Sequence, residues 1–288
     1  MTRDVFEQKL FGSLKWISIV FFVLITVFPL LYMVALSFKD VSQLLREPSA
    51  FLPSWEELKT LKSYKSVLTS VDSGGFGFVR FIVNSLLVSG LTVVITVTLA
   101  VLGAYSAARL QFRGKKAVSS GILIIYLFPA VVVAIPLFVM FSRLGIRSEL
   151  WALSIVYLAQ TIPLALYMLK SHFQAIPASL EEAGMIDGLT RFGVIRRITI
   201  PLSAPAIAAV ALYVFMIAWN EFLFALLFLV DSPVKWTLPL GLQQLNSTEV
   251  PMTALMAGSV IITIPVIALF FAAEKFLTEG LASGGVKG

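Results

Sequence analysis

The chain has 288 residues, of which 58% are hydrophobic and only 13% charged, with a mean hydropathy of +0.93. Soluble domains carry about 25% charged residues, so a chain this apolar is an integral membrane protein, and its net charge of +6 belongs on loops facing anionic lipid and not on a nucleic-acid-binding face. Cysteine is absent, which excludes disulfides and thiolate metal sites, and the single histidine, His172, has no partners with which to build a metal site.

A bilayer core of about 30 Å needs about 20 apolar helical residues. Six runs meet that requirement: Trp16–Phe38, Phe81–Tyr105, Val118–Phe141, Leu150–Leu169, Ala206–Val230 and Ala254–Ala273. Spanning segments must satisfy their own backbone groups, and runs of this length lack the alternation of barrel strands. The expected fold is therefore an all-α polytopic bundle of six transmembrane helices. It has a short N-terminal segment (1–15), a membrane domain (16–273) with an outer loop at 39–80 and an inner loop at 170–205, and a C-terminal tail (274–288).

The first run has 23 residues, longer than the 7–15 of a signal-peptide core, and is read as a retained helix. Segments on the side of the N-terminus hold thirteen Lys and Arg against nine on the other, and Arg109, Arg113, Lys115 and Lys116 lie in one loop without an acid. The positive-inside rule then puts both termini in the cytoplasm. Pro29, Pro129, Pro136, Pro163 and Pro265 fall within the runs and are read as bends, with Pro129 and Pro136 also suited to a helix lining a pathway. The outer loop, with Trp55, Lys59, Lys62, Tyr64 and Lys65, is long enough either to touch a soluble protein or to serve as a solvated connector.

The inner loop 170–205 is too polar to span and too structured in composition to be disordered. Pro177 followed by Ser179-Leu180-Glu181-Glu182 fits a capping box between Ser179 and Glu182; Gly188 suits a left-handed helix end, and Thr190 can cap a second helix that runs through Ile198 and stops at Pro201 and Pro205. This reads as helix, turn, helix. Leu180, Ala183 and either Ile186 or Met185 would form an apolar knob with Glu181, Glu182 and Asp187 as charged contacts. Such a knob can seat in a groove of a soluble partner. The competing reading, an amphipathic helix resting on lipid, fits poorly because such helices favour Lys and Arg, and none occurs here before Arg191.

Glu182-Ala183-Gly184, then three residues to Gly188, nine to Ile198, and Thr199-Ile200-Pro201 resemble the cytoplasmic loop of permease subunits of binding-protein-dependent ABC importers. That loop reads Glu-Ala-Ala, three residues, Gly, nine residues, Ile, one residue, Leu-Pro. Every spacing is kept; Gly184 and Ile200 depart from the usual alanine and leucine, and Gly184 is expected to loosen the helix by about 0.5–1 kcal/mol. Phe51-Leu52-Pro53 with Tyr64, Asn84-Ser85-Leu86, Asp187-Gly188, Trp219-Asn220-Glu221-Phe222 and the terminal Gly284-Gly285-Val286-Lys287-Gly288 are similar to the smaller, six-helix partner in maltose-type carbohydrate importers.

The resemblance implies a non-catalytic subunit of a prokaryotic inner-membrane sugar importer. It would pair with a second permease, dock through Ser179, Glu182, Ala183, Gly184, Asp187, Gly188, Ile198 and Pro201 on a dimer of ABC ATPases, and receive its sugar from an extracytoplasmic binding protein. ATP and Mg would be held by the ATPases, with no cofactor on this chain. No phosphate-binding loop is present, since Gly285 is followed by Val286 where lysine is needed. The tail Gly284, Gly285, Val286 and Lys287 is implied to reach the ATPase interface; a frayed glycine-rich end is the alternative.

Glu221 is the only charged residue in the six runs, and an intramembrane acid must face protein or water. Trp219, Asn220 and Glu221 supply the aromatic face and acceptors a sugar pathway needs, but adjacent helical residues point about 100° apart and cannot all meet one substrate. Glu221 is thus either a substrate contact or a packing or gating hydrogen bond. An ion-coupled secondary transporter would need further buried acids, and an intramembrane enzyme a nucleophile with its base; the runs offer neither. His172, just past the fourth run, is read as a surface side chain.

Overall fold

The computed structural model describes residues 3–47, 52–115, 117, 121, 124 and 129–284, with side chains between 11 and 274. Helices and their connections make up these residues, with no strand among them. Four helices are long and apolar enough to cross a bilayer: Phe11–Phe38, Phe78–Arg109, Leu150–Ala175 and Met252–Glu274. They contain the first, second, fourth and sixth apolar runs. Part of the third run lies outside the described residues; its continuous described part, from Pro129, lies in the helix Ala130–Arg143, which contains Pro136.

The fifth run differs from expectation. Ala206–Val230 is not one helix: Ala204–Asn220 stops at Glu221, whose backbone is extended (φ −70°, ψ 126°), and a second helix, Leu223–Leu229, follows. Neither proline nor glycine marks the break. A half-buried carboxylate that can serve as a helix cap makes the interruption possible, as described below.

The chain divides into two compact units, residues 1–78 with 242–261 and residues 79–241 with 262–288. In the first, the described residues of the outer loop 39–80 form short helices, among them Val41–Arg46, Trp55–Thr60 and Lys62–Leu68. Ser54 and Glu57 form a capping box, Ser54 Oγ accepting from the Glu57 amide and Glu57 Oε2 from the Ser54 amide at 2.7 Å. The same buried Glu57 accepts from the Asp40 amide at 2.9 Å, Lys62 Nζ pairs with Asp40 at 2.7 Å, and the Ser37 and Tyr64 hydroxyls are 2.7 Å apart.

These contacts give the outer segment a pH limit. The Lys62 hydrogen bond, followed by the Ser42 amide, holds Asp40 below the ordinary 3.8. At Glu57 burial is the largest influence and pushes upward, but the Ser54 and Asp40 amides and the Lys39 charge outweigh it and leave the group below 4.5. A depressed carboxylate stabilises the fold above its unfolded value, and that contribution is lost as the pH falls through the folded value. Trp55 fluorescence should therefore report an intact outer segment at pH 5 and its loosening only below about pH 4; loosening between pH 7 and 5 would contradict this assignment.

In the second unit, small residues let helices approach closely. Ala100, Ala104 and Ala165 are fully buried with Leu169, Phe173 and Val214 in one cluster, while Leu153, Tyr157, Phe224 and Phe228 centre another. The Thr96 and Thr161 hydroxyls meet at 2.8 Å between helices Phe78–Arg109 and Leu150–Ala175. Asn84 and Ser85 secure the other end of the Phe78–Arg109 helix. Asn84 Nδ2 donates to the Val234 and Trp236 carbonyls at 3.0 and 2.9 Å, and Ser85 Oγ accepts from the Leu238 amide at 2.7 Å.

Candidate coupling hairpin and pathway residues

The helix Leu150–Ala175 ends at Ile176, whose extended backbone is the conformation a residue before proline prefers. The hairpin follows as Ala178–Ile186, a turn, and Arg191–Leu202. Gly188 adopts φ +88°, the left-handed position that only glycine takes without strain, and the Leu189 amide closes the turn on the Gly184 carbonyl at 3.0 Å. Thr190 Oγ1 accepts from the Gly193 amide at 3.2 Å and caps the second helix as expected.

Two expectations need correction. The capping box between Ser179 and Glu182 is not formed, because the helix begins at Ala178 with Pro177 as its cap; Ser179 then lies inside the first turn, and both side chains are exposed. The second helix stops between Pro201 and Pro205, as expected, but is not a regular helix. It passes through a wide turn at Ile195–Thr199, where the Ile200 amide donates to the Ile195 carbonyl, and ends at Leu202, with an 81° bend into Ala204–Asn220. Gly184 is also not a loosening element, since a Cβ there would stand 2.5 Å from Ile198 Cδ1, and the missing methyl is what lets Ile198 pack against the first helix.

Ile198 Cδ1 is the end of a flexible side chain, so Gly184→Ala should be nearly neutral. Gly184→Val should cost about 1–3 kcal/mol by overpacking. Thermal unfolding in detergent, followed by intrinsic tryptophan fluorescence, distinguishes the two, and equal midpoints for both variants would refute the packing argument.

The hairpin presents two unlike faces. Outward lie Leu180, Ala183, Met185, Ile186 (87% exposed) and Phe192 (66% exposed), flanked by Glu182 and Asp187; Pro201 is exposed near the far end of the second helix. Inward lie Gly184, Val194, Thr199 and Glu181, which is 4% exposed. Glu181 is thus no outward contact. It accepts hydrogen bonds from Arg109 Nε at 3.0 Å, Tyr105 OH at 3.2 Å and Thr199 Oγ1 at 3.3 Å. Its position three residues before Gly184 puts it on the same helical face as that packed glycine, which is the signal that could have separated it from Glu182.

His172 lies in the last turn of the Leu150–Ala175 helix, half-buried, and not beyond the helix end. The three pathway candidates point three ways. Trp219 is fully buried, stacks on Phe215 with ring centres 5.2 Å apart, and donates Nε1 to the Ile262 carbonyl at 3.0 Å. Asn220 is exposed and its Nδ2 donates to the Met216 carbonyl at 2.9 Å. Glu221 Oε2 accepts from Tyr157 OH at 2.7 Å and from the Ala225 amide at 3.1 Å, and Oε1 accepts from the Phe224 amide at 2.9 Å. The carboxylate therefore caps the helix Leu223–Leu229, where the amides and the helix dipole favour an anion. Of the tail, the backbone is helical to Gly284; Gly285, Val286 and Lys287 lie outside the described residues, as does Phe51.

Residues 99–282 match the family model described as "Binding-protein-dependent transport system inner membrane component". The chain is 39% identical over 269 residues to the inner membrane ABC transporter permease protein YcjP of Escherichia coli (strain K12), covering 93% of each chain. It is 34% identical to the trehalose/maltose transport system permease protein MalG of Thermococcus litoralis, covering 98% of this chain and 99% of that one. Its fold is similar to a chain in the crystal structure of a bacterial ABC transporter involved in the import of the acidic polysaccharide alginate, with a TM-score of 0.77 at 23% identity over 96% of this chain and 98% of the other. A bundle of apolar helices carrying a capped hairpin with the family's spacing, matched over nearly its whole length by such relatives, belongs to the family of inner membrane components of binding-protein-dependent transport systems: it is a multi-pass, non-catalytic permease subunit of an ABC importer.

Proposed function

We propose that this chain forms one half of the pathway for a sugar or oligosaccharide, beside a second permease subunit, and that the face of Leu180, Met185, Ile186 and Phe192 docks on an ATP-hydrolysing partner. That exposed apolar face, edged by Glu182 and Asp187, is the observation that carries the reading. A knob of this chemistry is unsuited to water and to anionic lipid but fits a protein groove with basic edges. Two such partners hold ATP and Mg, and their closure on nucleotide moves the hairpin as a rigid body. The hairpin and both termini lie on the cytoplasmic side, in line with the basic loop Arg109–Lys116. The tail Gly284–Lys287 reaches the ATPase interface, and an extracytoplasmic binding protein delivers the solute to the opposite face.

Sugar as the substrate class is supported by the trehalose/maltose relative and by a 32% identical trehalose permease, SugB of Mycobacterium tuberculosis. Along the pathway Asn220 is the candidate contact, and Glu221 acts by holding the helix break beside it. The experiment is reconstitution in proteoliposomes with the second permease, the ATPase and the binding protein, using maltose, trehalose and longer glucans as probes. Sugar-loaded binding protein is expected to stimulate ATP hydrolysis about tenfold. An assembled complex that no sugar stimulates would overturn the substrate class, and failure of any ATPase to bind the hairpin would overturn the docking assignment.

A further inference from the structure

The buried face of the hairpin holds a charge where apolar packing alone would serve to anchor it. Glu181 lies on the first hairpin helix, Thr199 on the second, and Tyr105 and Arg109 on the last two turns of the Phe78–Arg109 helix; Arg109 also donates an Nη to the Ile176 carbonyl at 2.7 Å, at the end of the Leu150–Ala175 helix. One carboxylate and one guanidinium thus join four elements, with side-chain exposures of 5% and 15%. A buried ion pair stabilises no better than well-packed apolar groups of similar volume, yet removing one partner is strongly unfavourable because the other is stranded. Such a pair resists sliding and separation along the directions of its hydrogen bonds, whereas an apolar contact tolerates both.

We infer that Glu181, acting through Arg109, is the joint that transmits displacement of the hairpin to the Phe78–Arg109 helix. It is a positioning group: it faces away from the docking surface and touches neither nucleotide nor solute. Tyr105 and Thr199 complete the shell of donors that keeps the carboxylate aimed. The inference rests on the docking assignment proposed above, but the geometry of the joint can be measured independently of it.

The chain contains no cysteine, so spin labels can be introduced at chosen sites. Labels at Leu102→Cys and Arg196→Cys, both exposed positions, span the joint; labels at Val79→Cys and Leu144→Cys report on the end of the bundle opposite the hairpin. In the assembled transporter, a non-hydrolysable ATP analogue should shift the Val79–Leu144 distance. With Glu181→Gln the ATPase should still bind, because the docking side chains are untouched, while that shift falls about fivefold or more and the Leu102–Arg196 distribution broadens. Arg109→Lys, which keeps the charge but loses the bond to Ile176, should fall between. If Glu181→Gln prevents folding, Thr199→Val and Tyr105→Phe remove one donor each and should reduce the shift about twofold.

A full-sized nucleotide shift in these variants overturns the inference, and so does loss of the shift together with loss of ATPase binding. A wild-type assembly without any nucleotide shift would instead refute the docking assignment. The Leu102–Arg196 distribution without nucleotide would then decide the joint, and an unbroadened distribution in Glu181→Gln would refute it.

Discussion

Glu221→Ala should destabilise the chain by about 2–4 kcal/mol, because the substitution leaves the Tyr157 hydroxyl and two helix-end amides without their acceptor. Tyr157 is 1% exposed, so water cannot readily replace the carboxylate at its hydroxyl. For a chain of this size the change corresponds to a fall of roughly 10 °C in the unfolding midpoint, readable from tryptophan fluorescence in detergent. Glu221→Gln retains one acceptor oxygen and should lose less than half as much. Tyr157→Phe alone should cost about 1 kcal/mol, and combining it with Glu221→Ala should cost clearly less than the sum, since the two side chains share a hydrogen bond. An unchanged midpoint in Glu221→Ala, or strict additivity in the double variant, would remove the capping role. In transport assays the same alanine variant should fail even where it folds, because the break after Asn220 would no longer be held.

Ile186→Asp is expected to weaken binding of the ATPase subunit at least tenfold while leaving the permease fold within about 0.5 kcal/mol of the wild type. Ile186 is 87% exposed, so its substitution removes no internal contact of consequence, whereas the centre of a docking patch carries most of an interface's energy. Gly188→Val should act differently. Its backbone at φ +88° is costly for a β-branched residue, about 1–2 kcal/mol, and the turn would open before any interface is formed. Affinity capture of the ATPase by the purified permease, paired with thermal unfolding, separates the two effects. Normal capture by Ile186→Asp would place the interface elsewhere on the chain.

Several features of the hairpin could be read directly. Gly188, Thr190 and Pro177 each act through their own backbone chemistry, and the structure has the left-handed turn, the cap and the helix boundary where those residues sit. Ser54 and Glu57 form a box of the same pattern proposed for Ser179 and Glu182, at the start of a short polar helix that no apolar run marks. The proposed box failed over a two-residue shift of the helix cap, from Ser179 to Pro177, which local pattern does not resolve. Glu181 and Glu182 are chemically the same: the three-residue spacing to Gly184 marks the face of Glu181, and Tyr105 and Arg109, more than seventy residues away, give that face its partners.

The amino-acid sequence by itself determined that this is a membrane bundle of apolar helices and that the loop 170–205 folds as helix, turn, helix. Bilayer thickness and turn stereochemistry act on local stretches of chain, and local stretches are what a sequence displays. Only the tertiary structure decided that the fifth run breaks at Glu221, that Trp219 is buried against Phe215 and bonded to the Ile262 carbonyl, and that Gly184 packs against Ile198. Each of these depends on an acceptor, a donor or a volume supplied by a distant part of the chain, and a side chain's partner is set by where the backbone brings it.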